Sequence, residues 1–173
     1  MKKENGMSLE DDVKTAFESE SRASMKYFAF AKRAEREGLK TIAKLFRAAA
    51  EAEIIHASNH LRAMGLIKTS SDNVKVLLSE KGYASEQMYQ SMIEHAKTEG
   101  DSWSTKSLCY ADEAGKVIAR LFKNVLQNIG EEKEVDYYLC KVCGFVVEND
   151  IPEKCPICGS QKKVFKKIDY DDY

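Results

Sequence analysis

Proline is almost missing from this chain: Pro152 and Pro156 are the only two, so nothing ahead of them breaks a helix on that ground. No apolar run approaches the length of a membrane span, because charged residues, 32% of the chain, interrupt every stretch. The stretch Met1 to Glu10 has two lysines but no apolar core of the kind a secretory signal carries. Neither sign of charge dominates. Lys and Arg number 27 against 28 Asp and Glu, a net charge of −1, which argues against nucleic acid as a partner. A cytoplasmic soluble protein is expected, with no membrane and no nucleic-acid partner, built as one domain or one domain plus a small appendage.

Cysteine is scarce until the end. Of five, only Cys109 lies in the first part of the chain, while Cys140, Cys143, Cys155 and Cys158 crowd together near the C-terminus. That split marks a helical body, 1–134, and a small cysteine module, 135–173, joined in the charged stretch Gly130 to Val135.

Glycines at 38, 65, 100 and 130 each follow a long stretch rich in Ala, Lys, Glu and Leu, as expected of a residue just past a helix C-terminus. Ser8 with Asp11 resembles a capping box at the start of the first helix. The pattern predicts helices near 9–37, 40–64, 74–99 and 102–129. Each carries an apolar stripe: Val13, Phe17, Ser24, Tyr27 and Ala31; then Ile42, Leu45, Ala49 and Ala63; then Leu77, Ala84, Met88 and Met92; then Leu108, Ala111, Ile118, Phe122 and Val125. Four long helices with one seam each pack most economically as a four-helix bundle. Shifting the sequence by 62 residues lays Ala34–Gly38 over Ala96–Gly100, and Glu51–Ala57 over Glu113–Ala119, the mark of a duplicated helical hairpin.

Glu20 falls on the stripe of the first helix, and Glu53 and His56 fall on the seam of the second. A carboxylate inside a bundle is costly unless it is paired or bound to metal. A Glu with a His three residues on, facing a Glu from a neighbouring helix, is half of a bundle di-metal centre suited to iron or manganese. A buried Glu–His hydrogen bond accounts for the same residues equally well. In the second repeat Gly115 stands where Glu53 does and Ile118 where His56 does, and the third helix offers Lys81 and Ala84 at that level.

The tail reads Cys140-Lys-Val-Cys143-Gly144 and Cys155-Pro-Ile-Cys158-Gly159. Two such knuckles supply four thiolates to one tetrahedral ion, iron or zinc. Each following glycine lets the backbone turn its amides toward the sulfurs. The alternative, two disulfides, is disfavoured in a reducing cytoplasm. Tyr137, Tyr138, Phe145 and Phe165 are placed to wrap the site in an apolar shell, and Cys109 is expected to be a small buried apolar residue.

These residues resemble the rubrerythrins over nearly the whole chain. Tyr138 to Phe145 with Lys154 to Gly159 is similar to the rubredoxin-type domain that ends them. Ala16 to Ser21 and Glu51 to Ala57 resemble the first hairpin; Met88-Tyr89, Glu99-Gly100, Glu113-Ala114 and Lys116-Val117 resemble the second. The resemblance implies a mainly α fold, a ferritin-like four-helix bundle with a C-terminal rubredoxin-like metal-binding domain. It implies a non-haem di-iron centre that reduces hydrogen peroxide, with electrons from a redox partner protein passing through the rubredoxin iron, typically between the subunits of a homodimer. Cys140, Cys143, Cys155 and Cys158 match its iron ligands, with zinc a possible substitute, and Glu20, Glu53 and His56 match half of its di-iron set. The other half departs at Lys81, Ala84, Gly115 and Ile118. Three arrangements fit that departure: Lys81 takes over the cation's task in a metal-free bundle, two chains pool their half-sites across a two-fold axis, or the bundle is a dimer scaffold for an electron-carrying tail.

Overall fold

The computed structural model describes residues 8–83, 88–131 and 134–169, the side chains of 81–83 excepted. Five helices are followed by a small sheet: α1 (Leu9–Arg36), α2 (Lys40–Ala63), α3 (Ser70–Tyr83), α4 (Gln90–Thr98), α5 (Ser102–Gln127), then β1 (Tyr137–Cys140), β2 (Val146–Glu148) and β3 (Phe165–Ile168). They form two compact units, one ending at Lys68 and one beginning at Thr69. No helix among the described residues is long and apolar enough to cross a membrane.

The first unit is the α1–α2 hairpin. Ser8 caps α1 in the expected box, its hydroxyl accepting from the Asp11 amide at 3.1 Å while Asp11 accepts from the Ser8 amide. Its seam is made of small residues. Ser24, Ala31 and Ala34 of α1 are buried, as are Ala43, Ala50 and Ala57 of α2 at strict heptad spacing. Side chains this short let two backbones run close together, and the pair Tyr27–Phe46 with Phe30 edge-on to Phe46 fills the end nearest the turn. This corrects the expected stripe of α2: Ile42 is 46% and Leu45 69% exposed, because the alanine row, not the larger aliphatic row beside it, faces α1.

The second unit holds α3, α4, α5 and the sheet. Over the expected helix 74–99 the described residues form α3 and α4, and 84–87 lie outside the description. α3 begins earlier, at Ser70, where the Thr69 hydroxyl accepts from the Asp72 amide at 3.2 Å, and it carries Gly82 in its last turn, a residue that weakens helix interiors. A π-type turn at Met88–Tyr89 leads into α4. Leu77, on that expected stripe, is half-buried, whereas Ala84 lies outside the described residues. On α5, Asp112 and Gly115 are buried, the Asp112 carboxylate accepting from Gln90 Nε2 at 3.3 Å and pairing with Lys116 Nζ at 2.8 Å. Ala111 and Val125, expected on the α5 seam, are exposed. The sheet is antiparallel in the order β2-β1-β3, with Tyr137 opposite Glu148 and Cys140 opposite Phe165.

The alanine row sets a steric limit that can be tested. Ala50→Leu adds a branched side chain where 3% of the residue is exposed, so the hairpin must open or strain, at a cost of about 1–3 kcal/mol. Thermal unfolding measures it, and Leu45→Ala on the exposed row serves as the mild control.

Candidate metal centres

The C-terminal module is built from two copies of one backbone device. Gly144 donates to the Cys140 carbonyl at 3.0 Å and Gly159 to that of Cys155 at 2.9 Å, while Cys140 donates to Phe145 and Cys155 to Ser160, both at 2.8 Å. Both turns require a left-handed residue, supplied by Gly144 at φ 78° and Gly159 at φ 71°. The turns aim amides at sulfur: that of Phe145 toward Cys143, those of Ile157 and Cys158 toward Cys155, and that of Ser160 toward Cys158.

The four sulfur atoms lie within 4.8 Å of one another. Cys140 and Cys158 are 3.7 Å apart and Cys143 and Cys155 3.5 Å, far beyond the roughly 2.05 Å of a disulfide. With metal–sulfur bonds of about 2.3 Å, a tetrahedral site has edges of about 3.8 Å. The donor set therefore fits one tetrahedral thiolate-bound ion and not two disulfides. Burial pushes the Cys143 and Cys155 thiols up. Cys158 moves the other way, against the upward push of its own burial: the Ser160 hydroxyl, 3.2 Å from its sulfur, and the Ser160 amide bring it down to about 6. Of the expected aromatic shell, Phe145 is buried and meets Phe165 edge-on, both against the cysteine cluster. Tyr137 is half-buried, with its hydroxyl donating to Glu148 at 3.4 Å.

The second cluster is on the first hairpin. The close approach of α1 and α2 brings Glu20, Glu53 and His56 together, with their ligand atoms within 4.8 Å. His56 Nδ1 is 3.1 Å from Glu53 Oε2. The carboxyls of Glu20 and Glu53 hydrogen-bond to one another, which raises Glu20 above its ordinary value and, with the bond to His56, lowers Glu53. Two carboxyls beside an imidazole form an oxygen- and nitrogen-rich set suited to iron or manganese. Gly115 is buried and Ile118 half-buried on α5, and neither carries a ligand atom. The side chains of Lys81 and Ala84 lie outside what the structure describes. His95 is exposed, 3.8 Å from Glu99, and Cys109 is only half-buried, less than expected.

Comparison with known proteins gives the family. The rubrerythrin family model matches residues 11–128, and the model for the rubredoxin-like domain of rubrerythrin matches 138–166. The chain belongs to the rubrerythrin family. It is 31% identical to rubrerythrin-2 of Clostridium acetobutylicum, over 90% of this chain and 94% of that protein. It is 30% identical to nigerythrin of Nitratidesulfovibrio vulgaris, over 92% and 86%. A structure described as the fully reduced, all-ferrous state of nigerythrin superposes with a TM-score of 0.57 at 28% identity, covering 96% of this chain and 89% of that one. The fold is thus a ferritin-like helical bundle followed by a rubredoxin-like domain, and the chain is a rubrerythrin-like iron protein with a four-cysteine site. That standing favours iron redox chemistry over a metal-free scaffold.

Sequence reasoning overlooked two polar neighbours. His60 lies close enough to Glu20 to favour its ionised form, and its place four residues after His56, on the same helix face, was the available signal. Ser160 beside Cys158 had no signal beyond following the knuckle glycine.

Each cluster yields a prediction. Cys155→Ser removes a sulfur from a residue 2% exposed, and the purified variant is expected to lose the metal and the thiolate charge-transfer bands, read by elemental analysis and visible absorption. In the metal-free protein, the raised Glu20 contributes stability that is complete below 4.5, its ordinary value, and is lost as pH climbs through the folded value. Glu20→Gln keeps a donor toward Glu53 but cannot ionise. Its melting temperature should no longer fall as pH rises from 4.5 toward neutrality, and added manganese(II) should stabilise it less than the parent. An unchanged pH profile would show that no proton is shared.

Proposed function

We propose that this chain transfers electrons through an iron held by Cys140, Cys143, Cys155 and Cys158 to metal held by Glu20, Glu53 and His56, where hydrogen peroxide is reduced. What carries the reading is the presence, in one chain, of two separate clusters of ligand atoms, each gathered within 4.8 Å. The thiolate site supplies one-electron chemistry when iron is bound. Reducing peroxide to two waters consumes two electrons and two protons, so the four-cysteine site acts twice per turnover, with a reduced redox protein as the donor.

The residues of the bundle have distinct tasks in this reading. Glu53 orients His56 through the 3.1 Å contact with Nδ1, and Glu20 brings the carboxylate of the other helix to the same site. The three protein ligands leave coordination positions open, as a site that takes up a small oxidant requires. We place the domains at 1–134 and 135–173, a division supported by family matches over 11–128 and 138–166. A homodimer in the cytoplasm is part of the same proposal, on the family's habit of passing electrons between subunits.

Metal content per chain of anaerobically purified protein, followed by stopped-flow mixing of the reduced protein with peroxide, tests it. The expected result is more than one iron per chain and rapid peroxide-dependent reoxidation of the thiolate-bound iron, slowed by about tenfold to a hundredfold in His56→Ala. One iron per chain, and reoxidation indifferent to His56, would overturn peroxide reduction at this site and leave an electron carrier.

A further inference from the structure

The four-cysteine module is covered from outside itself. The cluster of Cys140, Cys143, Phe145 and Cys155 is packed by Val147, Val164 and Phe165 of the module, and also by Tyr110 and Val117 of α5. Those two are seven residues apart and so share one face of the helix. Ala114 lies between them on that face and is 5% exposed, a small residue that lets a neighbour approach. Asp112 and Gly115, also buried, are on a different face of α5, so the helix is covered along two stripes. Below the contact, a cleft of about 840 Å³ opens between the end of α5, at Val125 and Ile129, and the sheet, at Tyr137 and Ile168.

The two knuckles, alike in backbone, differ in burial. Their first cysteines are equally enclosed, Cys140 at 1% and Cys155 at 2%, but their second cysteines are not: Cys143 is 8% exposed, whereas Cys158 is only half-buried. Something other than the repeated turn closes the first knuckle.

We propose that α5 is a wall of the four-cysteine site: Tyr110 and Val117, in the same chain, exclude water from the side of the first knuckle, set the reduction potential of the metal there, and leave the knuckle of Cys158 as the side open to solvent. The physical reason is charge. A tetrathiolate site carries one more negative charge when iron(III) becomes iron(II), and water stabilises the more highly charged state. Excluding water on one side therefore lowers the potential. The docking is made within one chain.

The proposal rests on iron at the four cysteines, and its test carries an arm that does not. In the full-length iron protein, the midpoint potential is found by reductive titration with dithionite. In the cobalt(II)-loaded protein, release of the ion to EDTA is followed by the thiolate–cobalt absorption. Tyr110→Ala and Val117→Ser are each expected to raise the potential and to speed cobalt release about tenfold. Tyr110→Phe, which keeps the ring, is expected to leave both unchanged, and release from the parent protein should not depend on protein concentration. Parent-like potentials and release rates in both disruptive variants, with helix content intact by circular dichroism, would overturn the proposal. So would faster release from the parent on dilution, which would mean that a second copy supplies the wall. If Tyr110→Ala fails to fold, Val117→Thr, of nearly the same shape, decides by the same two readings. If the protein takes up no iron, the iron reading fails, and cobalt release still decides the wall.

Discussion

Four sulfur atoms converging at 3.5 and 3.7 Å across a nearly dry cluster are the constraint on which the C-terminal part of this protein is built. Its strands have four, three and four residues, too short to hold as an isolated sheet in water. As thiolates, the sulfurs bring charge into a core where Cys140, Cys143 and Cys155 are almost fully enclosed, a cost that short strands and two phenylalanines cannot offset. A bound cation does so directly, and it ties the Cys140 turn, which closes β1, to the Cys155 turn that precedes β3. Metal uptake and folding of the module are therefore one event. The amides directed at sulfur from both knuckles add to the stability of the loaded site.

The first hairpin meets the same difficulty by another route. Its alanine seam draws α1 and α2 together until Glu20 and Glu53 cannot both remain charged and unpaired. The carboxyls respond by sharing a proton, with His56 as the third member. This is a compromise between burial and repulsion. Under the proposed function a cation takes the place of that proton and all three donors at once. The geometry of the site thus follows from the smallness of Ala43, Ala50 and Ala57, which no inspection of the ligands alone would reveal.

Much of this was legible in the sequence because it rests on local rules. The cap at Ser8, the glycine helix ends and the Cys-x-x-Cys-Gly turns need only a few neighbouring residues, and each formed as expected. Glu20, Glu53 and His56 were legible because charge on an apolar stripe is conspicuous. What could not be read depends on which of two adjacent rows a helix turns inward. Ile42 and Leu45 are the more apolar row, yet the alanines face α1, since close approach of the two backbones outweighs side-chain size there. The contact of Tyr110 and Val117 with the cysteine cluster is beyond local rules altogether, for it joins residues far apart in the chain.

The duplicated hairpins show how one pattern settles its buried charge in two ways. In the first, two carboxyls and a histidine from two helices are drawn together, with His60 close enough to favour the ionised form of Glu20. In the second, the buried carboxylate of Asp112 is answered by Lys116 one turn along its own helix, with Gln90 of α4 donating as well. Such a pair is complete without a cation, and the ammonium holds its proton more firmly for being there. Among the described residues, the ligand atoms gathered for a metal are thereby on α1 and α2 and on the four cysteines. It follows that α5, at the repeat positions of Glu53 and His56, is free to carry Gly115 and Ile118 and to use its next face, Tyr110 through Val117, for packing against the redox module.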